Sequence, residues 1–176
     1  YQANDHAAQR RPPKPGRREV GLPEDPDICV LGMFNAINKV HQQVWDTWMQ
    51  IMQRAPHTIL WMLDPGPLAR KAIARAAKAA GVSTSRIIAS PKLPQMAHLA
   101  RLQCCDLMLD PWPYGGHTST ADALFAAVPV LAMQGRNFAS RVSPGLLRAA
   151  GLEMLICSTP PEYMERALGL VQDRKS

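Results

Sequence analysis

Asp110-Pro111-Trp112-Pro113-Tyr114-Gly115-Gly116-His117-Thr118-Ser119 decides how this chain folds. An apolar run, Asp106-Leu107-Met108-Leu109, precedes it and a helix-like run, Thr120-Ala121-Asp122-Ala123-Leu124-Phe125-Ala126-Ala127, follows. A glycine-rich turn between a strand and a helix leaves several backbone N–H groups without partners. Those donors, with the positive end of the helix dipole, form an anion site. The turn also carries an imidazole and two hydroxyls, a combination that suits a phosphate and in particular a nucleotide diphosphate.

The same alternation continues on both sides of the turn. Ile28-Cys29-Val30-Leu31-Gly32-Met33, Thr58-Ile59-Leu60-Trp61-Met62-Leu63, Arg86-Ile87-Ile88-Ala89, Val130-Leu131-Ala132-Met133 and Met154-Leu155-Ile156 are short apolar runs, as expected of strands covered on both faces. Helical patterns separate them. The first runs from His41 to Arg54 with Val44, Trp45, Trp48, Met49, Ile51 and Met52 at helical spacing. An Ala-rich one opens at Pro67 and is closed by Gly81. Others span Gln95 to Cys105, Thr118 onward with Thr118 as its N-cap, Phe138 to Ala150, and Pro161 to Val171. Six strand–helix alternations imply an α/β fold, a Rossmann-like parallel sheet with helices on both faces. Ligands of such sheets bind beyond the carboxyl ends of the strands, where the Gly115 turn, Lys39 and the Lys92–Gln95 loop all fall. No GxGxxG follows the first strand and no Walker A sequence occurs, which counts against NAD, FAD and P-loop chemistry.

The 176 residues suffice for one domain with a sizeable core. A hydrophobic fraction of 47% and a charged fraction of 19% are those of a soluble globular protein. No apolar run approaches the roughly 18 residues needed to span a bilayer, and no signal-peptide pattern opens the chain. A start at Tyr1 rather than Met suggests a piece of a larger protein. Cys29, Cys104, Cys105 and Cys157 show no CxxC pairing and read as reduced core thiols of a cytoplasmic protein, not a zinc site. The net charge of +6 is concentrated in Arg10, Arg11, Lys14, Arg17 and Arg18. With Pro12, Pro13 and Pro15 among them, residues 1–27 read as an extended linker or strap. Without interleaved aromatics, a nucleic-acid arm is the weaker reading. Residues 28–176 form the expected Rossmann-like nucleotide-binding domain.

Several segments coincide with one family. Phe34-Asn35-Ala36-Ile37-Asn38-Lys39-Val40 resembles an FNxxxKI motif. Ser90-Pro91-Lys92-Leu93-Pro94 with His98-Leu99-Ala100-Arg101 resembles the next block. Leu109-Asp110, Pro113-Tyr114 and Gly116-His117-Thr118-Ser119 resemble LDTxPYNxHTT. Gly135 with Phe138-Ala139-Ser140-Arg141-Val142 resembles GxxFASRV. Tyr1–Asp5 and Gly21–Glu24 resemble the stretch entering the same domain. The chain is similar to the O-linked N-acetylglucosamine transferase family, including its bacterial and SPINDLY-like members. The resemblance implies the C-terminal, donor-binding half of a GT-B glycosyltransferase. It further implies a UDP-N-acetylglucosamine donor, transfer to protein Ser or Thr hydroxyls with inversion, and no metal. Acceptor-side groups and tetratricopeptide repeats would come from N-terminal regions.

Positions matching the family's donor contacts are Lys39, His98, Arg101, His117, Thr118, Ser119 and Asp122, with the main chain near Leu93 holding the uracil. Their chemistry agrees: without a metal, the protein itself must offset charge on the departing diphosphate. Lys39 supplies a cation, His117 a donor, and Thr118 and Ser119 oriented donors at a helix start. Asp122, one turn after Thr118, can accept from ribose hydroxyls. His98 and Arg101 share a helix face towards the strand ends. Each has a plainer reading. His117 could cap the turn, and Asp122 could stabilise the helix dipole. His98 could be a satisfied surface histidine, and Arg101 could pair with a carboxylate. Arg141 reads as a brace, and Trp45, Trp48 and Trp61 as core. The sequence departs from the pattern at Ala36 (usually Asn or Gln), Gln95 (lysine in some members), Gly115-Gly116 (usually Asn-Ala or Asn-Gly) and Ser119 (usually Thr). These departures keep open a non-catalytic nucleotide-sugar-binding module, or a relative using GDP-fucose or UDP-glucose.

Overall fold

Alternating side chains along each strand are apolar in both directions, so both faces of the sheet must be covered. The computed structural model, which describes residues 10–173, shows how. Six parallel strands, β1 (Cys29–Met33), β2 (Thr58–Leu63), β3 (Ile87–Ser90), β4 (Leu107–Leu109), β5 (Val130–Met133) and β6 (Ile156–Cys157), lie in the order β3-β2-β1-β4-β5-β6. They alternate with six helices, α1 (Gln42–Arg54), α2 (Pro67–Ala79), α3 (Gln95–Leu102), α4 (Thr118–Phe125), α5 (Val142–Ala149) and α6 (Pro160–Asp173). The fold is Rossmann-like. Leu31, Met33, Leu60, Met62, Leu109 and Leu131 face a core with Trp45, Trp48 and Tyr163 from α1 and α6. Val30, Trp61, Met108 and Val130 face a second core with Leu99, Ala123 and Leu147 from α3, α4 and α5. Trp45, Trp48 and Trp61 are core residues, exposed by 7%, 0% and 0%.

Chain direction across the sheet reverses between β1 and β4, which pair directly through Leu31 opposite Leu107. The crevice between their carboxyl ends is the topological switch point, where ligands of such sheets bind. At the other end of the sheet, residues 10–27 run as a strap. Arg17 donates to the carbonyls of Asp25 (3.1 Å) and Ile28 (2.9 Å) and to the Asp106 carboxylate (3.0 Å). Arg11 reaches the Phe125 carbonyl, and Gln103 and Cys104 hold the carbonyls of Pro12 and Pro15. Two of the basic residues are thus engaged with the fold itself. The first nine residues of the expected strap, the Tyr1–Asp5 resemblance and residues 174–176 lie outside the described residues.

Four local expectations are corrected. The helix expected over Phe138–Ala150 is broken: Asn137 caps a 3-10 turn at Phe138–Ser140 by accepting from the Ser140 N–H (3.0 Å), and α5 starts only at Val142. Met154 and Leu155 belong to a 3-10 turn, because β6 has only Ile156 and Cys157 opposite Ala132 and Met133. The helix expected to reach Cys105 ends at Leu102, where tight turns from Arg101 and Leu102 take the N–H groups of Cys104 and Cys105. Thr118 is the first helical residue rather than the N-cap, a position held by His117. Arg141, expected to brace the fold, is exposed. All four cysteines are buried free thiols, as expected.

Candidate nucleotide site

The chain leaves β1 through Phe34 and Asn35 and makes a 3-10 turn at Ile37–Lys39, which aims Lys39 back across the switch point. Its ammonium donates to the Gly115 carbonyl (3.0 Å) and to Asn35 Oδ1 (3.4 Å). It also lies 4.3 Å from the centroid of the Tyr114 ring, a cation–π contact. Burial lowers the Lys39 pKa, and the charge of Asp110 acts against that shift. Tyr114 stacks on His117 with ring centroids 5.6 Å apart, and Phe138 meets the other side of the imidazole edge-on at 6.1 Å. Burial first, and then the charge of Lys39, push the His117 pKa below its ordinary value, against a hydrogen bond to the Ala139 backbone. Ser119 Oγ donates to the same Asn35 oxygen (2.9 Å) that Lys39 uses, so Asn35 ties β1 to the start of α4.

The glycines of the turn serve space rather than anion binding. A Cβ on Gly116 would stand 2.5 Å from Ser119 Oγ, 2.6 Å from Thr120 Oγ1 and 2.8 Å from Asp110 Oδ1. Their N–H groups are already used: Gly116 donates to Asp110 Oδ1 (2.6 Å) and Gly115 to the Ala139 carbonyl (3.3 Å). The expectation of unpartnered donors in the turn is therefore corrected. The N–H groups without an intrahelical acceptor are instead the first ones of α4.

His98 lies half-buried on α3, edge-on to Phe34 at 5.3 Å. Burial and the adjacent Arg101 lower its pKa to about 4, against the charge of Asp122, so it is neutral at pH 7. Arg101 is turned inward at 2% exposure. It donates to His98 Nδ1 (3.0 Å) and to the Pro91 carbonyl (2.6 Å), and its guanidinium covers the Phe34 ring at 4.6 Å. Leu93 is half-buried in the loop that the Pro91 contact fixes, and Asp122 is buried on α4 at 6% exposure. Lys39, His117 and Ser119 thus converge at the switch point with exposed Thr118 beside them, while His98, Arg101 and Asp122 line the α3–α4 side.

Sequence reasoning passed over Asp110, Asn35 and Tyr114 as site residues, although all three lie in the quoted motifs. The available signal was a carboxylate and an amide immediately after two neighbouring strands. Among the described residues, no group of three or more His, Cys, Asp or Glu could hold a metal ion.

The model of glycosyl transferase family 41 matches residues 3–176. The chain belongs to this family. Among family 41 relatives, it is 32% identical over 162 residues to the probable UDP-N-acetylglucosamine–peptide N-acetylglucosaminyltransferase SEC of Arabidopsis thaliana, covering 92% of this chain and 16% of that protein. It is 31% identical over 157 residues to the UDP-N-acetylglucosamine–peptide N-acetylglucosaminyltransferase of Caenorhabditis elegans, covering 89% of this chain and 14% of that one. A solved mutant of the Thermobaculum terrenum O-GlcNAc transferase superposes with a TM-score of 0.80 at 32% identity, over 88% of this chain and 30% of that chain. The family 41 chain therefore spans about a sixth of the curated relatives' length.

Proposed function

We propose that this chain is the donor-binding half of an inverting, metal-independent protein O-GlcNAc transferase of GT-B architecture, which takes UDP-N-acetylglucosamine and serves Ser and Thr hydroxyls. The observation that carries the reading is the convergence of the Lys39 ammonium (3.0 Å from the Gly115 carbonyl), the His117 imidazole and the start of α4 at the switch point. In this reading Lys39 and His117 act on the leaving diphosphate, neutralising the charge that grows as the sugar–phosphate bond breaks. The N–H groups and hydroxyls of Thr118 and Ser119 hold the phosphate oxygens. Asp122 accepts from the ribose, and neutral His98, set by Arg101, packs beside the uracil while the Leu93 main chain reads its edge. In this reading the side that receives the protein acceptor, with any base acting on its hydroxyl and the protein-recruiting repeats, lies in N-terminal regions that this chain does not span, so the chain alone binds donor without transferring it. Four free buried thiols support a reducing, cytoplasmic setting.

Calorimetric titration with UDP, GDP and CDP tests the reading. Selective UDP binding, weakened at least tenfold by His117→Ala and by Lys39→Ala, is expected. Preference for GDP would redirect the donor to a fucosyl nucleotide, and robust protein glycosylation by this chain alone would overturn its assignment as a half-site.

A further inference from the structure

We propose that Asp110 is a positioning residue for the diphosphate, and that ligand binding beside Lys39 draws one proton from solvent onto its buried carboxyl group. The inference rests on the nucleotide reading above. Asp110 is 3% exposed and lies directly beneath the two glycines of the site. A Cβ on Gly115 would stand 2.7 Å from its Oδ2, and one on Gly116 would stand 2.8 Å from its Oδ1. Its Oδ1 holds the Gly116 N–H at 2.6 Å, and the side chains of Ser143 and Asn35 also hydrogen-bond to it. The carboxyl group thereby fixes the turn whose Gly115 carbonyl anchors Lys39 and whose next residue is His117.

When Asp110 is ionised the Gly116 N–H and the Asn35 side chain serve its carboxylate and favour the charged form, but two acceptors share the single Ser143 proton. Ser143 Oγ lies 2.6 Å from the Gly116 carbonyl and 2.8 Å from Thr120 Oγ1. A hydroxyl has one proton to give. The Gly116 carbonyl and an ionised Asp110 compete for that proton, and only one can have it. With a proton on Asp110, every partner is served: Asp110 donates to Ser143 Oγ, Ser143 donates to the Gly116 carbonyl, and Thr120 donates to the second lone pair of Ser143.

Charge points the same way. The cation whose field favours ionised Asp110 is Lys39, from the turn after β1. From α6, the Tyr163 hydroxyl donates to the Asp110 backbone carbonyl (3.2 Å), and burial raises its pKa well above ordinary, so it stays neutral. Tyr114 and His117 are the other titratable groups on the Asp110 turn itself. A diphosphate that takes Lys39 as its partner removes the compensating charge from Asp110 and sets like charge beside it, which favours the protonated acid. Before the ligand arrives, burial already raises the Asp110 pKa to about 6, within reach of neutrality.

The test is calorimetry of this chain with UDP-N-acetylglucosamine, whose doubly esterified diphosphate has no proton to exchange near neutrality. Titrations at pH 6.5 in cacodylate and in bis-Tris, which differ in ionisation enthalpy, are expected to differ by the uptake of roughly half a proton or more per site. Affinity should rise roughly threefold or more from pH 8 to pH 6.5. Asp110→Asn, which keeps an acceptor for the Gly116 N–H, should bind without the buffer dependence. Should that variant fail to fold, the carbon-13 shift of the wild-type Asp110 carboxyl group reads the same event. Its midpoint should move up by about one unit or more when the sugar nucleotide is added. Equal enthalpies in the two buffers, or proton uptake that survives Asp110→Asn and so belongs to His117, would overturn the proposal while leaving the nucleotide reading intact. Absence of any binding would sink both.

Discussion

Two titratable residues at the site oppose each other in their effect on stability. His98 has a folded pKa of about 4 against an ordinary 6.5, so the unfolded chain binds more protons between those values and stability rises with pH there. Asp110 has a folded pKa of about 6 against 3.8, so the folded chain binds more protons and stability falls as pH rises through that window. Between pH 4 and 6 the slopes offset. Urea denaturation across this range should therefore show Asp110→Asn gaining stability with pH and His98→Asn losing it, each at no more than about 1.4 kcal/mol per pH unit. A flat profile in both variants would contradict the shifts. Gly116→Ala is expected to cost about 2–3 kcal/mol, because the new methyl group meets three oxygens, two of them in the buried Asp110–Thr120 network. The same denaturation measurement checks it. The placement of Lys39 and His117 beyond the strand ends was legible in the sequence because each stands in a motif after an apolar run. Asp110 was not: its role depends on Ser143, 27 residues beyond the Gly116 carbonyl that Ser143 holds, and on lying beneath glycines that look like a phosphate cradle. The inward turn of Arg101 was not legible either, since three-residue spacing to His98 says only that the two share a helix face.

Among the elements, β1, β2 and β5 could be read directly, since an uninterrupted apolar run admits little except a strand buried on both faces. The errors fell where a polar side chain competes with the regular ladder. Asn137 closes a tight turn that apolar periodicity cannot register, and β6 is shortened by the 3-10 turn before it. The proline-rich basic stretch reads as a linker or strap, yet its attachment points were not legible, because they pair Arg17 with Asp106 across 89 residues. Arg17 and Asp106 are 15% and 20% exposed, so their bond is sheltered from solvent. Arg17→Ala is expected to cost about 2 kcal/mol and to lower the urea midpoint without changing the slope. If the strap were only a solvated linker, the loss would stay below about 0.5 kcal/mol.

For the whole molecule, the sheet order was foreseeable in type and not in detail: alternation dictated a parallel sheet, but only the β1–β4 pairing fixes where the direction reverses. That pairing brings Lys39 to a turn 76 residues away in sequence, so the proposed nucleotide site and the global fold share the same contacts. A ligand at about one hundred times its Kd should raise the unfolding free energy by about 2.7 kcal/mol, and a thermal scan with UDP should show a corresponding rise in Tm. No rise under saturating conditions would mean the nucleotide does not bind the folded chain. The four cysteines add a consequence of their own. Cys29 and Cys157 belong to the α1–α6 core, and Cys104 and Cys105 to the opposite core, where Cys104 also lies against the strap through the Pro15 carbonyl. An alkylating reagent therefore meets each thiol only when its own layer parts. Mass spectrometry of partly labelled chains would time the opening of the two faces separately, with no probe introduced.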